Sequence, residues 1–308
     1  MHLPRELVEF ARTIRLGHTL FAMPFALGAA FLAEPPCPRP AALALLVACL
    51  VAARTAAMGM NRVADARLDA ANPRTADWAI PAGRLRRGTA LAFTLASAAA
   101  FLALAWGFLW LRKNPWPGFL APAFLAVLLG YAYTKRFTVL SHWVLGLALG
   151  LAPVGAWIAL RGGLALGPAL VGAAVVFWTA GFDILYALAD EAFDREASLR
   201  SVPALVGRPH ALRVALGSHL VMLFLLAAAY GAMGPRADQP RMGPASLAAL
   251  AAVAVLVGVQ HAAARRMRPE KIASAFFPFN AAISIVWMAG AVADAVASGI
   301  RAAGGSPP

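Results

Sequence analysis

Apolar runs of about 20 residues recur along the whole chain, at 17–33, 41–62, 89–111, 117–134, 139–160, 165–188, 210–233, 244–263 and 272–298. A helix needs a run of roughly that length to cross about 30 Å of hydrocarbon. The runs are continuous rather than alternating, which argues against a membrane β-barrel. The pattern therefore predicts an all-α, polytopic membrane protein with nine transmembrane helices. Residues 1–15 read differently. Arg5, Glu6, Glu9, Arg12 and Arg15 interrupt their apolar positions, which predicts an amphipathic cytoplasmic lead-in on the membrane surface. The run that follows is longer than a signal h-region and lacks a convincing cleavage site, so it reads as a retained first span. Residues 16–300 form a single transmembrane domain, and 301–308 are expected to be a disordered tail. Arg112-Lys113-Asn114-Pro115 predicts a tight turn between the third and fourth spans. Gly146 and Gly150 predict close helix packing. Pro24 and Pro153 fall inside spans, where kinks are expected.

Composition and charge fit this picture. The chain is 61% hydrophobic and 13% charged, with mean hydropathy +0.71; soluble domains carry roughly 25% charged residues. A net charge of +13 in a soluble protein would suggest nucleic acid. Here the basic residues anchor loops, and no nucleic-acid partner is expected. Nineteen Lys and Arg fall at one set of helix ends and seven at the other, with Arg54 inside the second span. That split places the N-terminus on the cytoplasmic side of the cell's inner membrane. Cys37 and Cys49 form no CxxC or Cys/His cluster, so neither a disulfide framework nor a zinc site is expected.

The acidic residues change the picture most. Of 14, seven lie in two short stretches: Asp65 and Asp69 in one, and Asp183, Asp190, Glu191, Asp194 and Glu196 in the other. Asn61, Asp65 and Asp69 are spaced i, i+4, i+8, which on a helix puts them along one face over about 12 Å. Tyr186, Asp190 and Asp194 repeat the spacing. With the N-terminus inside, every even-numbered span ends inside. The first stretch ends span 2, Lys135-Arg136 ends span 4 and the second stretch ends span 6, so all three meet at one face. The two long polar connections, 63–88 and 189–209, lie there too. Carboxylates inside a span usually face the bundle interior, paired or metal-bound. A structural ion-pair network is one reading. Divalent metal plus a lipid-linked diphosphate is the sharper one, because Mg²⁺ is commonly held by one or two carboxylates together with substrate phosphates. Arg and Lys would grip the remaining phosphate oxygens.

These residues resemble the UbiA superfamily of intramembrane aromatic prenyltransferases. Asn61, Asp65 and Asp69 match its NxxxDxxxD motif, and Asp183, Tyr186, Asp190 and Asp194 its second Asp-rich motif. Tyr131 to Lys135 match its YxxxK element, and Asn72-Pro73-Arg74-Thr75, Ile80-Pro81-Ala82-Gly83 and Arg200-Ser201 its loops. The resemblance implies a nine-helix bundle with a central cavity near the cytoplasmic face, binding Mg²⁺ and a polyprenyl diphosphate. Asp65, Asp69, Asp190 and Asp194 are the implied catalytic metal ligands, with Tyr131 and Lys135 as further catalytic residues. Tyr131 would shield an allylic cation or simply pack. Arg54, Asn61, Arg74, Asp183, Tyr186 and Arg200 are the implied substrate-binding residues. Arg54 would contact the diphosphate or the acceptor, and Asp183 would be a supporting carboxylate or lie on the acceptor side.

Three positions depart from the family pattern. Trp78 stands where many members have an Arg before the loop proline, with Arg84 as a candidate replacement. Arg62 stands where many have Asp, and Ser198 where Gly is common. The opening Ile14 to Ala26 resembles the 4-hydroxybenzoate polyprenyltransferase-like branch, which implies a small aromatic acceptor. A dihydroxynaphthoate is the alternative. His18 is either an acceptor contact or a helix-end structural residue. An ion-coupled transporter is the reading from another class, but it predicts inverted repeats and polar breaks at the bilayer midplane, and the acids here gather at one face.

Overall fold

The computed structural model describes residues 3–14, 21–234 and 241–304, and the described residues are overwhelmingly helical. His18 lies outside them. In chain order the helices are α1 (Leu3–Thr13), α2 (Ala22–Ala33), α3 (Pro40–Ala71), α4 (Arg87–Arg112), α5 (Trp116–Thr134), α6 (Ser141–Arg161), α7 (Leu166–Ala187), α8 (Glu191–Glu196), α9 (Val202–Met233), α10 (Pro244–Arg266) and α11 (Pro269–Gly304). A 3₁₀ turn, Leu188–Asp190, joins α7 to α8. Among the described residues eight helices are long and apolar enough to cross a membrane, and the shorter apolar α2 lies at the remaining expected span, the first.

Sequence neighbours pack side by side from α3 to α7, then α7 on α9, α9 on α10 and α10 on α11; α2 bridges α6 and α11. The most buried of the spanning helices is α7. The glycines of α6 let the two helices come close: a Cβ at Gly146 or Gly150 would collide with the backbone carbonyls of Val176 or Gly172. The GxxxG pair thus brings two backbones together, which is how helices associate in lipid. The expected turn after α4 is built as the sequence suggests. Lys113 takes a left-handed conformation (φ 56°), and Asn114 Nδ2 donates to the carbonyls of Ile158 and Ala159 at 2.8 and 3.0 Å.

Four boundaries differ from expectation. First, α3 continues to Ala71, nine residues past the expected end of its span. Its 32 residues are about 48 Å long, so the motif-bearing turns stay helical beyond the apolar layer. Asp65 is held there by cations from the segment after α5. Second, the connection 189–209 is not an open loop, because α8 and the first turns of α9 occupy it. Gly207, at φ 69°, breaks α9 there, in a conformation that glycine adopts without strain. Third, Tyr186, Asp190 and Asp194 do not share one continuous helix, because the 3₁₀ turn intervenes and redirects Asp190 toward the 72–86 loop. Fourth, α11 runs through Gly304 where a tail was expected from 301, as the Ala302-Ala303 pair favours helix up to the glycine. The lead-in α1 buries Phe10 and Ile14 against Val63, Ala79 and Leu85 and is tied to the 72–86 loop by Glu6 and Arg86.

Candidate active site

One cavity of about 920 Å³ runs through the bundle. Its wall extends along α6 from His142 to Ile158, about 24 Å of helix. At the His142 end the wall is polar and carries Arg54, Asn61, Asp65, Asp69, Arg74, Tyr131, Lys135, Asp183, Tyr186, Asp190 and Asp194. Toward Ile158 it is apolar, with Leu46, Phe101, Phe108 and Phe124. Residues separated by more than a hundred positions thus meet at one mouth, as the parity of the spans predicts. Arg200 is the exception among the expected site residues: it is exposed and outside the cavity wall. Its Nη1 donates to the Phe137 carbonyl at 3.1 Å and its backbone N–H to the Lys135 carbonyl at 2.8 Å. It braces the segment that carries Lys135 rather than facing the cavity.

The carboxylates at the mouth are held by side chains. Asp65 is nearly buried and meets Lys135 Nζ at 2.8 Å, Arg136 Nη2 at 2.9 Å and Asn61 Nδ2 at 3.2 Å. Asp190 takes a two-pronged grip from Arg74, Nε at 2.8 Å and Nη2 at 2.5 Å, and a third bond from Asn72 Nδ2 at 3.0 Å. Asn72 also accepts from the Arg74 backbone N–H at 2.9 Å, which fixes the turn after α3. Asp69 is different: its buried Oδ2 has no hydrogen-bond partner, with Arg62 Nη1 3.7 Å away. Ser201 stands beside Asp194.

Among the described residues no three His, Cys, Asp or Glu side chains converge into a complete metal cage. The donors at the mouth are oxygens, which suits a hard cation that keeps waters and shares substrate phosphate. The Asp69 Oδ2 is a buried oxygen with capacity for such an ion, so the residues present fit Mg²⁺.

Deeper in the wall, Arg54 has its Nε and Nη2 buried without a hydrogen-bond partner. The Tyr186 hydroxyl accepts from Asn280 Nδ2 at 2.8 Å. Asp183 Oδ2 lies 2.7 Å from His142 Nδ1.

Several residues at the site went unread in the sequence. Arg136 and Asn72 were visible only as a charge and as part of a loop motif, because their partners are distant in sequence. The two departures Arg62 and Trp78 meet in space: the Arg62 guanidinium lies 3.9 Å above the Trp78 ring, a cation–π contact. Arg84, the candidate replacement, turns away to the Asp77 carbonyl at 2.6 Å. Ser198 sits at φ 55°, a left-handed conformation that accounts for glycine being favoured there.

The family model for the UbiA prenyltransferase family matches residues 22–285. The 4-hydroxybenzoate octaprenyltransferase of Tolumonas auensis is 31% identical over 208 residues, covering 68% of this chain and 71% of its own. The protoheme IX farnesyltransferase of Korarchaeum cryptofilum is 30% identical over 202 residues, covering 63% and 66%. The apo structure of a UbiA homolog from Aeropyrum pernix K1 superposes with a TM-score of 0.78 at 32% identity, covering 91% of this chain and 98% of that one. A UbiA homolog from Archaeoglobus fulgidus, bound to GPP and Mg²⁺, shares the fold at 18% identity, with a TM-score of 0.64 over 92% of this chain and 99% of that one. With the motif carboxylates gathered at the mouth of a lipid-scale cavity, this chain belongs to the UbiA prenyltransferase family and is a multi-pass membrane enzyme that transfers prenyl groups.

Proposed function

We propose that the enzyme moves a polyprenyl group from an isoprenyl diphosphate to 4-hydroxybenzoate, ortho to its hydroxyl, in the making of a quinone lipid. The polar mouth suits the diphosphate and the apolar depth suits the tail. The GPP and Mg²⁺ bound by the Archaeoglobus fulgidus homolog support that donor class. Asp65, Asp69, Asp190 and Asp194 would hold Mg²⁺, which neutralises the diphosphate and makes it a better leaving group. Lys135 and Arg74, which grip Asp65 and Asp190, would exchange carboxylate for phosphate oxygens in the same kind of charge-assisted bond. The C1–O bond breaks with its electron pair on the diphosphate. The acceptor ring carbon then bonds to C1 and loses its proton. Tyr131 offers a ring face to the allylic cation.

The observation that carries an aromatic acid as the acceptor is Arg54. A guanidinium with two buried, unpartnered nitrogens in a cavity wall is costly. An aromatic carboxylate would satisfy both in a bidentate pair. The names of relatives such as that of Tolumonas auensis support the same acceptor. Asp183 then lies on the acceptor's side. We place the mouth at the cytoplasmic face of the inner membrane, following the excess of Lys and Arg at that end.

The test is to incubate membranes holding the enzyme with Mg²⁺ and a polyprenyl diphosphate, offering 4-hydroxybenzoate and a dihydroxynaphthoate in competition. Prenylated hydroxybenzoate is expected as the main product. Prenylated naphthoate as the main product overturns the acceptor, and no product from either overturns the reading.

A further inference from the structure

His142 has no part in the diphosphate chemistry, yet it ties its own helix to two others at the cavity wall. It is the second residue of α6, nearly buried, with one ring nitrogen on α7 and the other on the first residue of α9. The two contacts fix its proton. The backbone N–H of Val202 can only donate, and it points at Nε2 at 3.2 Å. Nε2 is therefore the acceptor, so the ring proton sits on Nδ1, which donates to Asp183 Oδ2 at 2.7 Å. The imidazole is neutral and the Asp183 carboxylate is its acceptor. Asp183 Oδ1 has no hydrogen-bond partner among the described residues, and the side chain is 31% exposed in the cavity wall.

We infer that His142 is a positioning residue: through Nδ1–H it locks the Asp183 carboxylate so that Oδ1 receives the hydroxyl of the aromatic acceptor. This rests on the reading above that Asp183 lies on the acceptor side. The ring becomes positively charged as the new C–C bond forms, and a hydrogen bond from its hydroxyl to a fixed anion then strengthens. A preorganised bond of that kind favours the transition state. A carboxylate left to rotate would spend that advantage on reorientation. The Val202 contact gives His142 a second, structural duty, because it satisfies one of the unpaired N–H groups at the start of α9.

The two duties use different ring atoms, so two amide variants separate them. His142→Asn keeps a donor at the Nδ1 position and loses the acceptor for Val202. His142→Gln keeps an acceptor at the Nε2 position and loses the donor to Asp183. We expect H142Q to melt close to the wild type in detergent while kcat for prenyl transfer falls about 100-fold, the scale of a catalytic group misplaced by an ångström. H142N should melt lower but keep kcat close to wild type. Binding of an unreactive prenyl thiolodiphosphate with Mg²⁺ should be unchanged in both. Wild-type kcat in H142Q, equal loss of kcat in both variants, or loss of diphosphate binding in step with kcat overturns the inference. Asp183→Asn separates the levels. If D183N turns over like wild type, the acceptor-side reading of Asp183 fails and this inference fails with it. If D183N is inactive while H142Q is unimpaired, only the role of His142 fails.

Discussion

The carboxylate of Asp294 and those at the cavity mouth are satisfied in opposite ways. Asp294 lies fourteen residues along α11 beyond Asn280, the residue that bonds Tyr186 in the cavity wall, a separation of about 21 Å. Its carboxylate accepts three backbone N–H bonds at the start of α10, from Gly243 and Ser246 at 2.7 Å and from Ala245 at 3.3 Å. Those donors belong to peptide groups and cannot leave. At the mouth, Asp65 and Asp190 are held by Lys135, Arg136 and Arg74, and Asp69 keeps one oxygen without a hydrogen bond. Lysine and arginine side chains can swing from carboxylate to phosphate. The lesson is that the acid bound by backbone is a finished joint, whereas those bound by side chains have partners that can move, as the proposed binding of a metal and a diphosphate requires.

The strongest test of this contrast removes a mouth acid. Asp65→Ala or Asp190→Ala should cut Mg²⁺-dependent prenyl transfer by at least about 10²–10³-fold, with the amount of inserted protein retained. Turnover at the wild-type level in either variant breaks the distinction between the two regions. Next comes Arg54→Met, which should raise KM for the aromatic acid about 10- to 100-fold, the equivalent of one charged hydrogen-bonding group. KM for the diphosphate should stay the same; a matched rise in both would move Arg54 to the donor side. Asp294→Ala should do the reverse of the mouth variants. It should lower stability by about 1–2 kcal/mol, as losing a helix N-cap does, while turnover per folded molecule persists. A thermal melt in detergent paired with an activity assay reads both.

The smallest effect concerns α1. Arg86 holds the Glu6 carboxyl down from the ordinary 4.5 to about 2. A depressed carboxyl contributes its stabilisation fully above its ordinary value and loses it as pH falls toward its folded value. Hydrogen-exchange protection factors in Leu3–Thr13 should thus be flat from pH 6 to 8 and fall as the pH drops below about 4.5. Glu6→Gln should remove that pH dependence.

Much of this was legible from residue spacing. Continuous apolar runs predicted the spans, and the parity of those spans put Asp65, Lys135 and Asp190 at one end, where the structure finds them. Tyr186, Asp190 and Asp194 show the limit. Their i, i+4, i+8 spacing suggested one helical face, but the 3₁₀ turn at Leu188–Asp190 bends the chain there. At that turn Asp190 meets Asn72 and Arg74, partners more than a hundred residues away. Arg62 and Trp78 looked like two unrelated departures until the fold stacked one on the other.

The sequence by itself determined the class of structure and singled out the candidate reactive groups. Helix period, span length and Lys/Arg bias are local properties of a chain in lipid. Only the tertiary structure decided which partner each charged group holds. It clamped Asp65 between two cations, left Asp69 and Arg54 with unsatisfied atoms, turned Arg200 outward, and fixed the proton of His142 through the N–H of Val202. Hydrogen bonds act over about 3 Å, and which groups come that close depends on how the helices pack.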